Sequence, residues 1–279
     1  MGLIKKYQKF FWGIAAGAIA AVLIINRHWF APLYEPTMAV LNSNATTAFM
    51  GALGGAGVVY LLDRLSQKKR LLADINTSLG IVAGISNALL NIKAQHAKPT
   101  LENYKKNLEK LEQVKNIPPG SNNSEGTLDI RRTPCPGLGF ELPTENIFAS
   151  TKNSARLALL IAETQRMTAE VMKSYDSWNT MVFEMQNNAS DEERFAYYFG
   201  HNVKTNLQDT TFKDTLEMIN MNIDNALFYS TKVNSALTKL ADEALPFWLR
   251  DKVAQVKIDD PEFVKLLPSH NHIKGWADE

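Results

Sequence analysis

The chain has 279 residues, 45% of them hydrophobic and 21% charged, with a net charge of +1. That balance belongs to a folded chain of one or two domains, too polar for a polytopic transporter and too apolar for a disordered protein. Near-neutral charge excludes a dominantly electrostatic partner such as duplex nucleic acid, and one cysteine, Cys135, excludes an intrachain disulfide.

Residues 10–26 carry no charged side chain. About 17 residues at ~1.5 Å rise reach ~26 Å, a little short of the ~30 Å hydrocarbon core. Tyr7, Phe10, Phe11 and Trp12 mark one end and Trp29, Phe30 and Tyr34 the other, as expected where rings settle at headgroup level. Lys5, Lys6 and Lys9 before an apolar run also suit a cleaved signal peptide. The bulky Asn26-Arg27-His28-Trp29-Phe30 that follows is a poor cleavage site, which favours an uncleaved anchor.

A second uncharged run, 46–62, stops at Asp63-Arg64. Gly51, Gly54, Gly55 and Gly57 dilute it, so a soluble glycine-rich turn is the competing reading. Small residues recur every four positions in both runs, at Gly13, Gly17 and Ala21 and at Thr47, Gly51 and Gly55. Such ridges let helices approach closely in lipid, so the pattern predicts a transmembrane hairpin over residues 1–63. Basic residues set its orientation. Lys5, Lys6 and Lys9 flank the first run, and Arg64, Lys68, Lys69 and Arg70 follow the second, whereas the connection 27–45 offers only Arg27 and Glu35 beside His28. The positive-inside rule then puts both termini in the cytoplasm, with the basic residues also touching anionic headgroups. Were the second run soluble, the same lysines would send the large domain across the membrane.

From Arg64 the apolar period becomes helical: Leu65, Leu72, Ile75, Leu79, Val82, Leu89 and Ile92, widened by Ile85. The second span is expected to run into this helix unbroken, Pro99 to interrupt it, and Thr100 to cap a shorter helix with Leu101, Tyr104, Leu108 and Leu111 inward. This stalk region covers 64–115. Residues 116–143, rich in Pro, Gly, Ser and Asn, read as a long loop, either a linker or a packed functional segment. It holds Cys135 near Arg131 and Arg132. Arginines would lower a nearby thiol's pKa, but no second cysteine or histidine lies close in sequence, so an inert thiol is expected.

Residues 144–245 predict two long helices. The first opens at Thr144 and runs to about Asn187, with Ile147, Ser154, Ala158, Ile161, Met167, Val171, Tyr175, Trp178 and Val182 inward. Ser190-Asp191-Glu192-Glu193 spells a capping box. The second carries Leu216, Ile219, Ile223, Ala226, Ser230, Val233, Leu237 and Leu240, a 3-4 repeat of the coiled-coil type that Pro246 ends. Ser86, Thr164, Asn206 and Ser230 place polar groups in the seams, most simply as register devices. The tail, 246–279, offers Phe247, Trp248, Leu249, Val253 and Val256 as an amphipathic helix that closes the bundle end, with membrane docking through Arg250, Lys252 and Lys257 as the alternative.

No nucleotide-binding, nucleophile-elbow or zinc-protease motif occurs. His270 and His272 are too few ligands for a structural metal site, and His96 and His201 stand alone. No catalytic residue, metal or cofactor is therefore expected. The sequence predicts an all-α protein: a two-helix transmembrane hairpin followed by an elongated antiparallel bundle. The expected function is non-enzymatic, a membrane-anchored cytoplasmic bundle that mediates protein–protein contact as scaffold, assembly factor or adaptor, with the bilayer and further copies of itself as partners. An oligomeric channel-forming or membrane-perturbing effector, or an extracytoplasmic helical sensor if the second span is not transmembrane, is the alternative.

Overall fold

The computed structural model describes residues 44–115, 128, 130–135, 137–269 and 272–273. The first proposed span, 10–26, lies outside them, as do Lys5, Lys6, Lys9, Gly13, Gly17 and Ala21. The chain is mostly helical, and its extended pairing amounts to one two-residue ladder among the described residues, so the class is all-α. Contacts divide the chain into two units, Met1–Ser66 and Gln67–Glu279.

Helix α1, Asn44–Ile92, crosses from the second apolar run into the stalk without a break, as expected of a stretch that contains no proline. Within the second unit its apolar stripe is buried at Leu71, Ile75, Leu79, Val82, Ile85 and Leu89, while Leu72 is only half-buried. Leu65, in the first unit, is exposed, and the stripe starts after it.

Pro99 does not end the helix. A π-helical turn, Lys93–Ala97, is followed directly by α2, Lys98–Lys115, and Pro99 and Thr100 lie inside α2. The Lys98 N–H donates back five residues to the Lys93 carbonyl. Widening the turn by one residue moves the carbonyl that the proline ring would otherwise strike and absorbs the missing donor. Asn220 supports the spot from outside, its Nδ2 donating to the Ala97 carbonyl at 3.2 Å.

The expected helix from Thr144 is two helices, α3 (Glu145–Ser150) and α4 (Ser154–Asn188). Thr151 between them is extended, and its hydroxyl accepts the Asn153 N–H at 3.2 Å, a local bond that competes with helix continuation. The break turns the stripe of α4: Leu157 and Leu160 are buried where Ser154 is exposed and Ala158 half-buried. The capping box forms as read, Ser190 Oγ accepting from the Glu193 N–H at 3.2 Å and Glu193 accepting from the Ser190 N–H at 2.8 Å. It opens α5, Asp191–Tyr198.

A hairpin missed by the sequence reading follows, β1 (His201–Asn202) antiparallel to β2 (Leu207–Gln208). Asn206 turns it at φ 54°, a conformation asparagine tolerates. It therefore belongs to a surface turn and not to a helix seam. Helix α6, Thr211–Ala244, buries all eight residues of its predicted repeat. Pro246 ends it; α7 (Phe247–Arg250) and α8 (Pro261–Val264) are single turns.

Hydrogen bonds set the directions in the second unit. Lys93 pairs with Asp224, Ser86 with Ser230 at 3.0 Å and Asn76 with Lys252, so α6 runs antiparallel to α1. Asn222 donates to Ser174 at 2.8 Å, and Leu157 shares a groove with Leu240, so α6 is also antiparallel to α4. Helices α1 and α4 are therefore parallel to each other. The segment that joins them has to travel the length of the bundle, and this explains the long 116–143 connection.

Candidate functional site

The described part of that connection is a strap packed along α4. Gln186 Nε2 donates to the Ile130 carbonyl (3.1 Å), Trp178 Nε1 to Arg131 (2.9 Å) and Gln165 Nε2 to Phe140 (3.0 Å). Asn179 clamps Thr133 twice, accepting its N–H at 2.8 Å and donating to its carbonyl at 2.9 Å. Leu138 and Phe140 fill the core beneath, and the Arg132 guanidinium lies 4.2 Å over the Phe183 ring. Proline and glycine suit the strap because its amides bond to side chains of α4 and not to a ladder of their own. Burial, then the Asp176 carboxylate, push the half-buried Cys135 thiol up. The arginines do not make it a thiolate. Burial also raises the phenol of Tyr175.

The tail forms a second strap and not the expected amphipathic helix. Asn76 holds its start, donating to the Lys252 carbonyl at 2.9 Å and accepting the Ala254 N–H at 2.8 Å. Lys93 holds its end by donating to the Leu266 carbonyl at 2.6 Å while paired with Asp224. His272 bonds Asn225 at 3.0 Å, so it is a packed residue. Backbone run along polar side chains satisfies its amides where no strand is available, which is why Val253 and Val256 pack without a helix.

In the first unit, Val58, Val59, Tyr60, Leu61 and Leu62 are all exposed, between 44% and 66%. Five consecutive residues at ~100° each go once round a helix, so this stretch has no polar face. Arg64 lies with its guanidinium 4.9 Å over the Tyr60 ring. Gly51 and Gly55, two members of the predicted ridge, would place a Cβ in open space among the described residues. Thr47, the third, falls in the helix. One helical run, Gly54–Gln113, is long and apolar enough to cross a membrane by length and composition. Half of its most apolar stretch is buried, and since residues 54–67 are all exposed, that stretch lies in the second unit and not in the second apolar run. Comparison with protein-family models, curated proteins and solved structures finds no match in any of the three.

In the second unit Lys69 and Arg70 are exposed and Lys68 half-buried. At the other end of the bundle a cleft of about 310 Å³ opens between α4, α5 and β1, lined by Met181, Glu184, Tyr197, His201 and Lys204 among others. Lys204 and Glu193 form an ion pair at 3.3 Å on its rim, and the Ser190 backbone bond followed by Lys204 holds the Glu193 carboxyl below its ordinary range. Phe195, Val203 and Leu207 are exposed at the same end. Among the described residues no three of His, Cys, Asp and Glu gather as metal ligands. The features that sequence reasoning missed are the hairpin, the Lys93 anchor and the outward placement of Phe247 and Trp248. The Lys93 anchor and the placement of the aromatic pair depend on contacts between residues distant in sequence, whereas the hairpin is closed locally, by Asn206 and by Asn202 Oδ1 accepting the Lys204 and Thr205 N–H groups.

Proposed function

We propose that the chain is a non-enzymatic membrane protein in which two N-terminal spans, about 10–26 and 46–62, hold a helical bundle on the cytoplasmic face. There the bundle contacts other proteins and further copies of the chain, as a scaffold, assembly factor or adaptor. The observation that supports this most directly is the exposed run Val58–Leu62, apolar right round the helix. Full burial of a valine or leucine gains roughly 1.5–3 kcal/mol, and lipid supplies the share of it that these half-exposed side chains still lack. The flanking Arg64, Lys68, Lys69 and Arg70 give the orientation. Exposed Phe195, Val203 and Leu207 favour protein contact at the hairpin end, since grouped apolar side chains on a folded surface commonly mark interaction sites. The glycine ridge, with Gly51 and Gly55 open to an approaching helix, favours self-association.

Reporter fusions test the topology. A fusion after Lys115 is expected to report from the cytoplasm, and a signal from the outer side overturns the orientation. Release of the full chain from membranes by alkaline wash overturns the anchor. A single monomeric species after cross-linking in intact membranes overturns the oligomer.

A further inference from the structure

The turn that follows α6 displays an aromatic pair for which the bundle has no use. Phe247 is 74% exposed and Trp248 49%, while their neighbour Leu249 is 5% exposed and plugs the bundle end. The two rings stack edge-on with centroids 5.0 Å apart. Their outward position is built in. Pro246 stops α6, Arg250 Nε donates back to the Leu245 carbonyl at 3.1 Å, and Asn76 clamps Lys252 and Ala254 just beyond. With Leu249 inward and the turn tied at both ends, Phe247 and Trp248 have only solvent to face.

The antiparallel register locates this turn. Lys93 meets Asp224 and Ser86 meets Ser230, so each step back along α1 matches a step forward along α6. Continued to Ala244, the last residue of α6, that register reaches about residue 72 of α1, and Asn76 meets Lys252 and Ala254 just beyond the turn. The turn therefore lies at the end of the second unit where Lys69 and Arg70, both exposed, also sit. One end of the bundle thus shows two large aromatics together with Lys69, Arg70, Arg250 and Lys252, against exposed Asp242 and Glu243 in the last turn of α6 and Asp251 within the turn. The Trp248 indole, apolar in body and polar at its N–H, with Phe247 as an apolar partner and lysine and arginine beside them, matches the headgroup layer of an anionic leaflet. A protein partner could use the rings too. Lipid is favoured because the chain enters this end at Gln67, directly after the apolar Val58–Leu62 and Arg64.

We infer that the Phe247–Trp248 turn is a second membrane contact: its rings enter the headgroup layer and Lys69, Arg70 and Lys252 meet lipid phosphates, fixing the base of the bundle on the bilayer. This rests on the anchor reading above. It adds to that reading a surface outside the spans, and anionic lipid as what the surface recognises.

The test uses the full chain in vesicles of phosphatidylcholine with and without phosphatidylserine. A nitroxide is placed at residue 247 (Phe247→Cys, with Cys135→Ser), at 248 in a second variant (Trp248→Cys), and at exposed Met221 on α6 as the reference (Met221→Cys). Collision with oxygen is compared with collision with a water-soluble nickel complex. Labels at 247 and 248 are expected to favour oxygen several-fold over the Met221 label, and more strongly with phosphatidylserine present. Equal nickel accessibility at 247, 248 and 221 in phosphatidylserine vesicles overturns the inference, and leaves the surface to a protein partner. Alkaline washing of the same vesicles separates the two readings. A chain that stays while residue 247 remains in water defeats this inference alone, whereas a chain that washes off defeats the anchor and this inference with it.

Discussion

Ser86 on α1 and Ser230 on α6 meet hydroxyl to hydroxyl at 3.0 Å in the core, with Ser230 wholly buried. The Ser230 hydroxyl also lies 2.9 Å from the Leu227 carbonyl of its own helix. A serine has one proton; spent on that carbonyl, it leaves Ser86 as the donor between the helices. The pair fixes the axial register of α1 against α6, because sliding either helix by one turn would bury a hydroxyl against alkyl groups.

Ser86→Ala should therefore destabilise the folded chain by about 1 kcal/mol, and Ser86→Ala/Ser230→Ala by less than the sum of the two single changes. Denaturant titration of the four members of the cycle measures this. Strictly additive losses would show that the two hydroxyls do not act together.

The seam of α6 carries the larger share of stability. Ile223 is fully buried and Met221, two residues earlier, is 54% exposed. Ile223→Ala is expected to cost about 2–5 kcal/mol and Met221→Ala under about 0.5 kcal/mol. Comparable midpoints for the two variants would contradict the packing described.

Asn179 holds the 128–143 strap through both backbone groups of Thr133. Asn179→Ala should raise hydrogen exchange at the Thr133 amide about five-fold or more, the equivalent of a lost bond of about 1 kcal/mol. Exchange at Ile223 should not change. Exchange at Thr133 as slow as in the unaltered chain would mean that another group holds the strap.

Two carboxylates at the hairpin end link stability to acid. The Thr211 hydroxyl, then its backbone N–H, hold the Asp209 carboxyl below its ordinary range, and Glu193 is lowered by the Ser190 backbone N–H and then Lys204. A carboxyl lowered in the folded state contributes stability that is present above the unfolded pKa, near 4, and is lost as pH falls through the folded value. Asp209→Asn should thus weaken the protein at pH 7 and matter progressively less below about pH 4, where the unfolded chain's carboxyl takes up its proton first and the native one follows at its lowered value. Melting curves across that range check it; a deficit that grows towards acid has the wrong sign.

Cys135 offers a chemical check on the strap. Burial and Asp176 raise its thiol, so alkylation at pH 7 should be slower than that of an unhindered cysteine and should speed up in Asn179→Ala as the strap loosens. Rapid alkylation of the unaltered chain would place the thiol outside.

The α6 helix was legible because its repeat runs unbroken from Leu216 to Leu240, and a period of that length has one solution. The α1 stripe was nearly as clear, and the Ser190–Glu193 box is a local signal that needed nothing else. Pro99 misled because the rule for proline assumes the α-helical hydrogen bond it cannot make. The five-residue closure from Lys98 to Lys93 changes that geometry, and Asn220, far along the chain, helps to hold it. The strap gave no period at all, since its place is set by Gln165, Trp178, Asn179 and Gln186 on another element. At the bundle base, Phe247 and Trp248 read as part of an apolar face. A single-turn helix is too short to show which of its residues point outward, so only the packing of Leu249 decides it.

Lys93 binds the carbonyl of Leu266, 173 residues further on. A ribosome adding about 5–20 residues per second needs on the order of ten to thirty seconds to make that stretch. For that interval Lys93 stands without its late-made carbonyl, and the leucines and isoleucines of the nascent α1 stay uncovered until α6, against which the helix packs, has been made. The order of synthesis thus makes the newborn first helix the vulnerable part of the molecule until α6 is made, and the final strap the piece that closes the last bonds, at Lys93 and Asn76.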